Sequence, residues 1–167
     1  MPFARNSLDL IICSSHPDIR LDLNELQQLR HEWCIKGWID ENGFALAEQE
    51  LIPAGFHRLI VEPPDKIRLY ANHQGGYRVD CSHCFANAAS VFTQAVQLWR
   101  AGGQRAFECR HCQRFVPLEE ARLRPNGAFS QGALWFRDVD SAQLTPQAQQ
   151  RIRQSLGETQ IVLRRLS

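Results

Sequence analysis

A chain of 167 residues and 19.2 kDa, 44% hydrophobic and 22% charged with a mean hydropathy of -0.35, is expected to fold around one main core. This composition excludes a disordered, collagen-like or coiled-coil chain, and no apolar stretch reaches the roughly 18 residues of a membrane span, so a soluble cytoplasmic protein is expected. The formal charge of +1 is split unevenly, with seven Lys or Arg against eleven Asp or Glu in residues 1–75 and twelve against seven in residues 76–167.

Leu8 to Cys13 is a short apolar run suited to a buried strand, and Ser14-Ser15-His16-Pro17 ends it. Asp22-x-x-Glu25 reads as a capping box, after which Leu26, Leu29, Trp33 and Ile35 mark the apolar stripe of a helix. Phe56 to Glu62 is strand-like, Pro63-Pro64-Asp65 breaks it, and Ile67, Leu69 and Ala71 alternate in a second run. These two runs are expected to form a hairpin.

Four of the six cysteines then form two pairs, Cys81-Ser82-His83-Cys84 and Cys109-Arg110-His111-Cys112, separated by 24 residues. Two residues between thiolates let a tight turn aim both sulfurs at one ion, and a second pair completes an all-sulfur tetrahedral shell. Cys81, Cys84, Cys109 and Cys112 are therefore the expected ligands of one structural Zn2+. Iron or an iron-sulfur cluster uses the same thiolates, while disulfides and thioredoxin-like redox chemistry fit an intracellular chain with two pairs less well. His83 and His111, inside the pairs, read as exposed residues outside the ligand set.

Residues 76–120 resemble the zinc-ribbon family, with Tyr77-Arg78-Val79-Asp80 like the strand entering the first knuckle and Arg105-Ala106-Phe107-Glu108 like that entering the second. The chain departs from the family in having Phe85 and Gln113 where zinc ribbons often place a Gly with positive φ, which predicts knuckles that are less regular or treble-clef-like. Between them Ala88, Val91, Phe92, Ala95, Val96 and Trp99 recur at helical spacing until Gly102-Gly103, so a helix is inserted in the ribbon.

Arg124-Pro125-Asn126-Gly127 reads as a loop and Ala133 to Val139 as a strand. A helix follows, with Thr145 as N-cap, Pro146 at N1, Ala148, Ile152 and Leu156 on one face and Gly157 at its end. Gln160 to Leu166 is the last strand. The fold class is α+β, an antiparallel sheet with two helices whose βαββαβ order resembles the ferredoxin-like split βαβ sandwich. Residues 1–75 and 128–167 form this body, and residues 76–127 form the inserted zinc-ribbon module.

The sequence contains no phosphate-binding loop, dinucleotide fingerprint, Gly-x-Ser-x-Gly elbow or His-Glu-x-x-His motif. Four thiolates leave no coordination position for a reacting water, and His16, His31, His57 and His73 fall in separate segments. Cys13 and Cys34 lie in apolar surroundings and read as packed thiols. Seventeen of the nineteen basic residues are Arg, which suits phosphate contacts and equally a GC-rich bacterial genome. Seven arginines against four acids make residues 76–127 formally +3, and four thiolates with one zinc lower this to about +1. The reading is a non-enzymatic zinc-binding adaptor for a protein partner, with a nucleic-acid-binding regulator as the alternative. An enzyme with a cleft between body and ribbon is the third.

Overall fold

The computed structural model describes residues 8–165. In chain order the elements are β1 (Leu8–Ser14), α1 (Leu23–Ile35), β2 (Arg58–Glu62), β3 (Arg68–Tyr70), β4 (Arg78–Asp80) and α2 (Ala89–Arg100). They continue with β5 (Ala106–Glu108), β6 (Phe115–Pro117), β7 (Arg122–Arg124), β8 (Ala128–Ser130), β9 (Ala133–Arg137), α3 (Pro146–Leu156) and β10 (Thr159–Arg165). The fold is mixed α and β with antiparallel sheets, and Leu166, the expected last residue of the final strand, lies outside the described residues. Among the described residues no helix is long and apolar enough to cross a membrane.

From Leu10 to Cys13, β1 is apolar without alternation because both its faces are covered. Leu10 and Ile12 pack with the helices, while Ile11 and Cys13 pack with Tyr70, Ala128 and Val162 on the other side. β10-β1-β9-β2, in that spatial order, form one wholly antiparallel sheet. On one face α1 and α3 contribute Leu26, Leu29, Trp33, Ala148 and Ile152 to a core with Leu10, Leu59, Leu134 and Phe136. The Asp22 carboxylate accepts from the Glu25 N–H at 3.1 Å, and Thr145 Oγ1 accepts from the Ala148 N–H at 3.2 Å, so both helices start where their caps sit. Ile35 corrects the expected stripe. It stands half a turn away from Leu26, and it is 72% exposed.

The expected hairpin between the two early strands is also corrected. β2 pairs with β9, and β3 pairs with β8. Pro63 and Pro64 supply no N–H groups to extend a ladder from β2, and Leu59 and Leu69 belong to different cores.

That second core gathers Leu69, Ala71, Val79, Phe92, Ala95, Val96, Phe107, Val116, Leu118 and Phe129 around the cysteines. Its strands form three two-stranded ribbons, β3–β8, β4–β7 and β5–β6. α2 lies across them, with Phe92 edge-on to Phe107 and Phe129 at ring-centroid distances of 6.2 and 6.3 Å. The packing unit thus reaches past residues 76 and 127 at both ends. Tyr70 and Ala128 rest on the sheet face opposite the helices, and Arg105 bridges Asp18 at 3.2 Å and Glu119 at 3.3 Å, so one ion-pair chain ties the loop after β1 to the segment around β5 and β6.

Both edges of the large sheet are covered in part. Beside β2, the Leu59 N–H donates to the Gly43 carbonyl at 2.8 Å, and a Cβ on Gly43, whose φ is 85°, would strike the Leu59 carbonyl. Beside β10, Asn126 Nδ2 donates to the Ile161 carbonyl at 3.0 Å and Asn72 Oδ1 accepts from the Arg165 N–H at 2.8 Å. The side chains of Asn72 and Asn126 thus occupy part of this edge.

Candidate metal centre

Each cysteine pair sits at the end of a short strand, Cys81 and Cys84 after β4 and Cys109 and Cys112 after β5. All four sulfurs lie within 4.8 Å of one another, and they form a group that can hold a metal ion. Four sulfurs about 2.3 Å from one tetrahedral ion stand about 3.8 Å apart. Cys81 to Cys112 is 3.8 Å and Cys84 to Cys109 is 3.6 Å, sulfur to sulfur. Cys81 and Cys109 are buried and the other two are partly exposed, so the set faces inward toward Val79 and Phe107 and outward at one side.

The two turns repeat one backbone pattern. The Cys81 N–H donates to the Ala86 carbonyl and the Phe85 N–H to the Cys81 carbonyl, both at 2.9 Å. In the second turn Cys109 N–H donates to the Arg114 carbonyl at 2.9 Å and Gln113 N–H to the Cys109 carbonyl at 2.8 Å. Phe85 and Gln113 each have φ of 61°. The expectation of less regular knuckles is thereby corrected: both turns take the left-handed conformation without a glycine, and the closing hydrogen bonds hold them there at a cost of roughly 1–2 kcal/mol per residue.

A prediction follows from that cost. Gln113 is exposed, so Gln113→Gly relieves the left-handed strain against a loss of about 0.4–1 kcal/mol in unfolded-chain entropy. The net gain, about 0.5–1 kcal/mol, is expected as a higher urea midpoint at full metal loading. Phe85→Gly also removes the ring under the Arg122 guanidinium, 4.9 Å from its centroid, a contact worth about 0.5–1 kcal/mol at an exposed site. That variant is expected to be neutral within error, and equal stabilisation by both would show that the Arg122 contact contributes nothing.

The electrostatics of the four thiols favour a cation. The N–H of Cys112, opposed by burial and helped by the N–H of His111, pulls Cys109 down to about 6. Against the Ala86 N–H, which lowers it, burial and the three neighbouring sulfurs push Cys84 up to about 11. Thiolates this close repel one another, and a bound cation removes that penalty. The His83 N–H reaches Cys81 Sγ at 3.4 Å, a backbone donor aimed at a ligand sulfur.

Neither His83 nor His111 belongs to the metal-holding group. His83 Nδ1 meets Arg114 Nη1 at 3.3 Å, and His111 is exposed. His57 is edge-on to Phe44, His73 is edge-on to Tyr77, and His16 faces Asp18 at 3.6 Å. Cys13 is fully buried, which pushes its thiol far above the ordinary range, and Cys34 packs against the main core.

One neighbouring residue escaped the sequence reading. Asp80, next to Cys81, is 2% exposed and accepts from Arg124 Nη2 at 2.6 Å. That hydrogen bond, against burial and with the charges of Arg78, Arg124 and Arg122, holds its carboxyl below the usual range. The period-two pattern of Arg78-Val79-Asp80 and Arg122-Leu123-Arg124 is the sequence signal that puts these charges on one face. Comparison with protein families, curated proteins and solved structures finds no match to the chain.

Proposed function

We propose that the protein is a non-enzymatic, cytoplasmic zinc-binding adaptor whose four-thiolate site is structural and whose metal-held module docks a protein partner. The observation carrying the metal reading is one group of four sulfurs all within 4.8 Å of one another, with Cys81–Cys112 at 3.8 Å and Cys84–Cys109 at 3.6 Å. Zinc suits it because a closed set of four thiolates is a common structural coordination for that ion and imposes no redox demand. When bound, the ion supplies a fixed tetrahedral anchor, and Cys81, Cys84, Cys109 and Cys112 are the residues that hold it. A closed thiolate shell offers no position for a reacting water, which supports a binding role over hydrolysis. Reduced thiols suit the cytoplasm.

The order β10-β1-β9-β2 with α1 and α3 on one face supports reading the body as a ferredoxin-like sandwich that carries the zinc ribbon as an insertion. The docking role rests on Phe115, which is 69% exposed on the β5–β6 ribbon immediately after the second knuckle. Aromatic side chains are enriched at the anchors of protein interfaces, and an exposed ring on a metal-held ribbon is suited to that use.

Elemental mass spectrometry on protein purified without added metal or chelator tests the metal reading. One zinc per chain is expected, and iron or no metal overturns it. A photocrosslinking residue at position 115 tests the docking role in extracts of the source cell, with position 93 on the exposed side of α2 as the control. A discrete crosslinked protein from position 115 alone is expected, and identical products from both positions would refute the assignment.

A further inference from the structure

The seven arginines of residues 76–127 are not equivalent. Arg105 is held by Asp18 and Glu119, and Arg114 meets His83. Arg78, Arg122 and Arg124 share one face of the β4–β7 ribbon, because Arg78 stands opposite Arg124 and Asp80 opposite Arg122. Like charges directly opposite on an antiparallel pair destabilise it. Asp80 is the one carboxylate on this face: it accepts from Arg124 at 2.6 Å and lies 3.8 Å from Arg78. Its side chain is 4% exposed while those of Arg78 and Arg124 are 70% and 59% exposed. The buried acid therefore orders guanidinium groups that remain open to solvent, and two positive charges on the ribbon stay uncompensated.

Beside them Phe85 is 59% exposed, with the Arg122 guanidinium 4.9 Å from its ring centroid. A ribbon face with three guanidinium groups, one of them against an exposed ring, matches a ligand that alternates phosphates with planar bases. A purely stabilising surface would interleave opposite charges here, and a protein partner of acidic side chains would leave the ring without a stacking role.

We propose that the Arg78, Arg122, Arg124 and Phe85 face of the β4–β7 ribbon binds single-stranded nucleic acid, the arginines contacting phosphates and the ring stacking a base. This surface goes beyond the adaptor reading and uses no residue assigned to protein docking. With three phosphate contacts, the logarithm of affinity falls with the logarithm of salt at a slope of about -2, so raising salt from about 50 to 200 mM weakens binding about 20-fold.

The test is fluorescence anisotropy of labelled 20-mers of oligo-dT and oligo-U with full-length, metal-loaded protein. Arg78→Gln/Arg122→Gln is expected to weaken binding at least tenfold at low salt and to reduce the slope to about -0.7. Phe85→Ala is expected to weaken it at least fivefold. Arg110→Gln/Arg153→Gln carries the same charge change on other surfaces and should alter affinity less than twofold. No saturable binding by the wild type, an equal loss in the control pair, or equal affinity for duplex DNA would each overturn the inference. Metal content and crosslinking from position 115 are read on the same variants, so a failed nucleic-acid test with one zinc per chain and an intact crosslink leaves the adaptor reading standing.

Discussion

Replacing Cys109 by Ser is expected to release the metal and melt the second core while leaving the four-stranded sheet folded. Cys109 is 2% exposed and its sulfur is 3.6 Å from that of Cys84. A serine hydroxyl there offers a neutral oxygen in place of a thiolate, and the remaining three sulfurs no longer close the shell. The second core has little else to rest on. Its three ribbons each pair only three residues per strand, and an isolated two-stranded ribbon is marginal in water. α2, with 12 residues, is at the length where an isolated helix is marginal too. Binding of a structural zinc provides about 10–16 kcal/mol, more than the whole stability of most domains.

The main core, by contrast, joins two helices to four strands and includes none of the four cysteines. Amide hydrogen exchange on the metal-free variant checks the division. Rapid exchange is expected for Val79, Phe92, Phe107 and Val116, with retained protection for Leu10, Leu134 and Phe136. Chelator treatment of the wild type should reproduce the pattern. Stoichiometric metal with unchanged melting in Cys109→Ser would refute the four-thiolate assignment.

The four-cysteine cluster was legible in the sequence because its determinants are local: two residues between cysteines fix each turn, and only one pairing of turns was needed. The helices of the body were legible for the same reason, since Asp22, Thr145, Pro146 and Gly157 act within one turn of where they stand. Partners in the small ribbons were not. β3 and β8 are three residues each and lie more than 50 residues apart in the chain, too short for periodicity to reveal a register. The regularity of the knuckles was hidden because Phe85 and Gln113 have no intrinsic preference for positive φ, and only the closing hydrogen bonds impose it. Asp9 was equally opaque. An acid ahead of an apolar run reads as a solvated strand end, and its burial follows from the arrival of β9 and β10 on either side of it.

Asp9→Ala is expected to destabilise the body by about 3–5 kcal/mol without releasing the metal. Asp9 is fully buried. Its Oδ2 accepts from Trp135 Nε1 at 2.8 Å, its Oδ1 accepts from the Asp138 N–H at 3.0 Å, and Arg164 Nη2 stands 3.6 Å away. Arg164 also lies over the Trp135 ring at 4.5 Å, with Arg137 at 5.6 Å. One carboxylate on β1 thus holds groups from β9 and β10 together, across the face of the sheet opposite the helices. Removing it leaves an indole N–H and a backbone N–H without their acceptor and a guanidinium without its counter-charge, each a desolvation cost larger than the net worth of the bond itself. Asp9→Asn keeps one acceptor, turns an N–H group toward the other donor and loses the charge, so it should fall between Ala and wild type. Urea midpoints at full metal loading measure both, and a loss under 1 kcal/mol for Asp9→Ala would mean that water replaces the carboxylate there. Because Asp9 ties β1 to β9 and β10 while Cys109 lies in the second core, their effects should also separate by probe: Asp9→Ala lowers the midpoint with metal retained, and Cys109→Ser removes metal with the sheet retained.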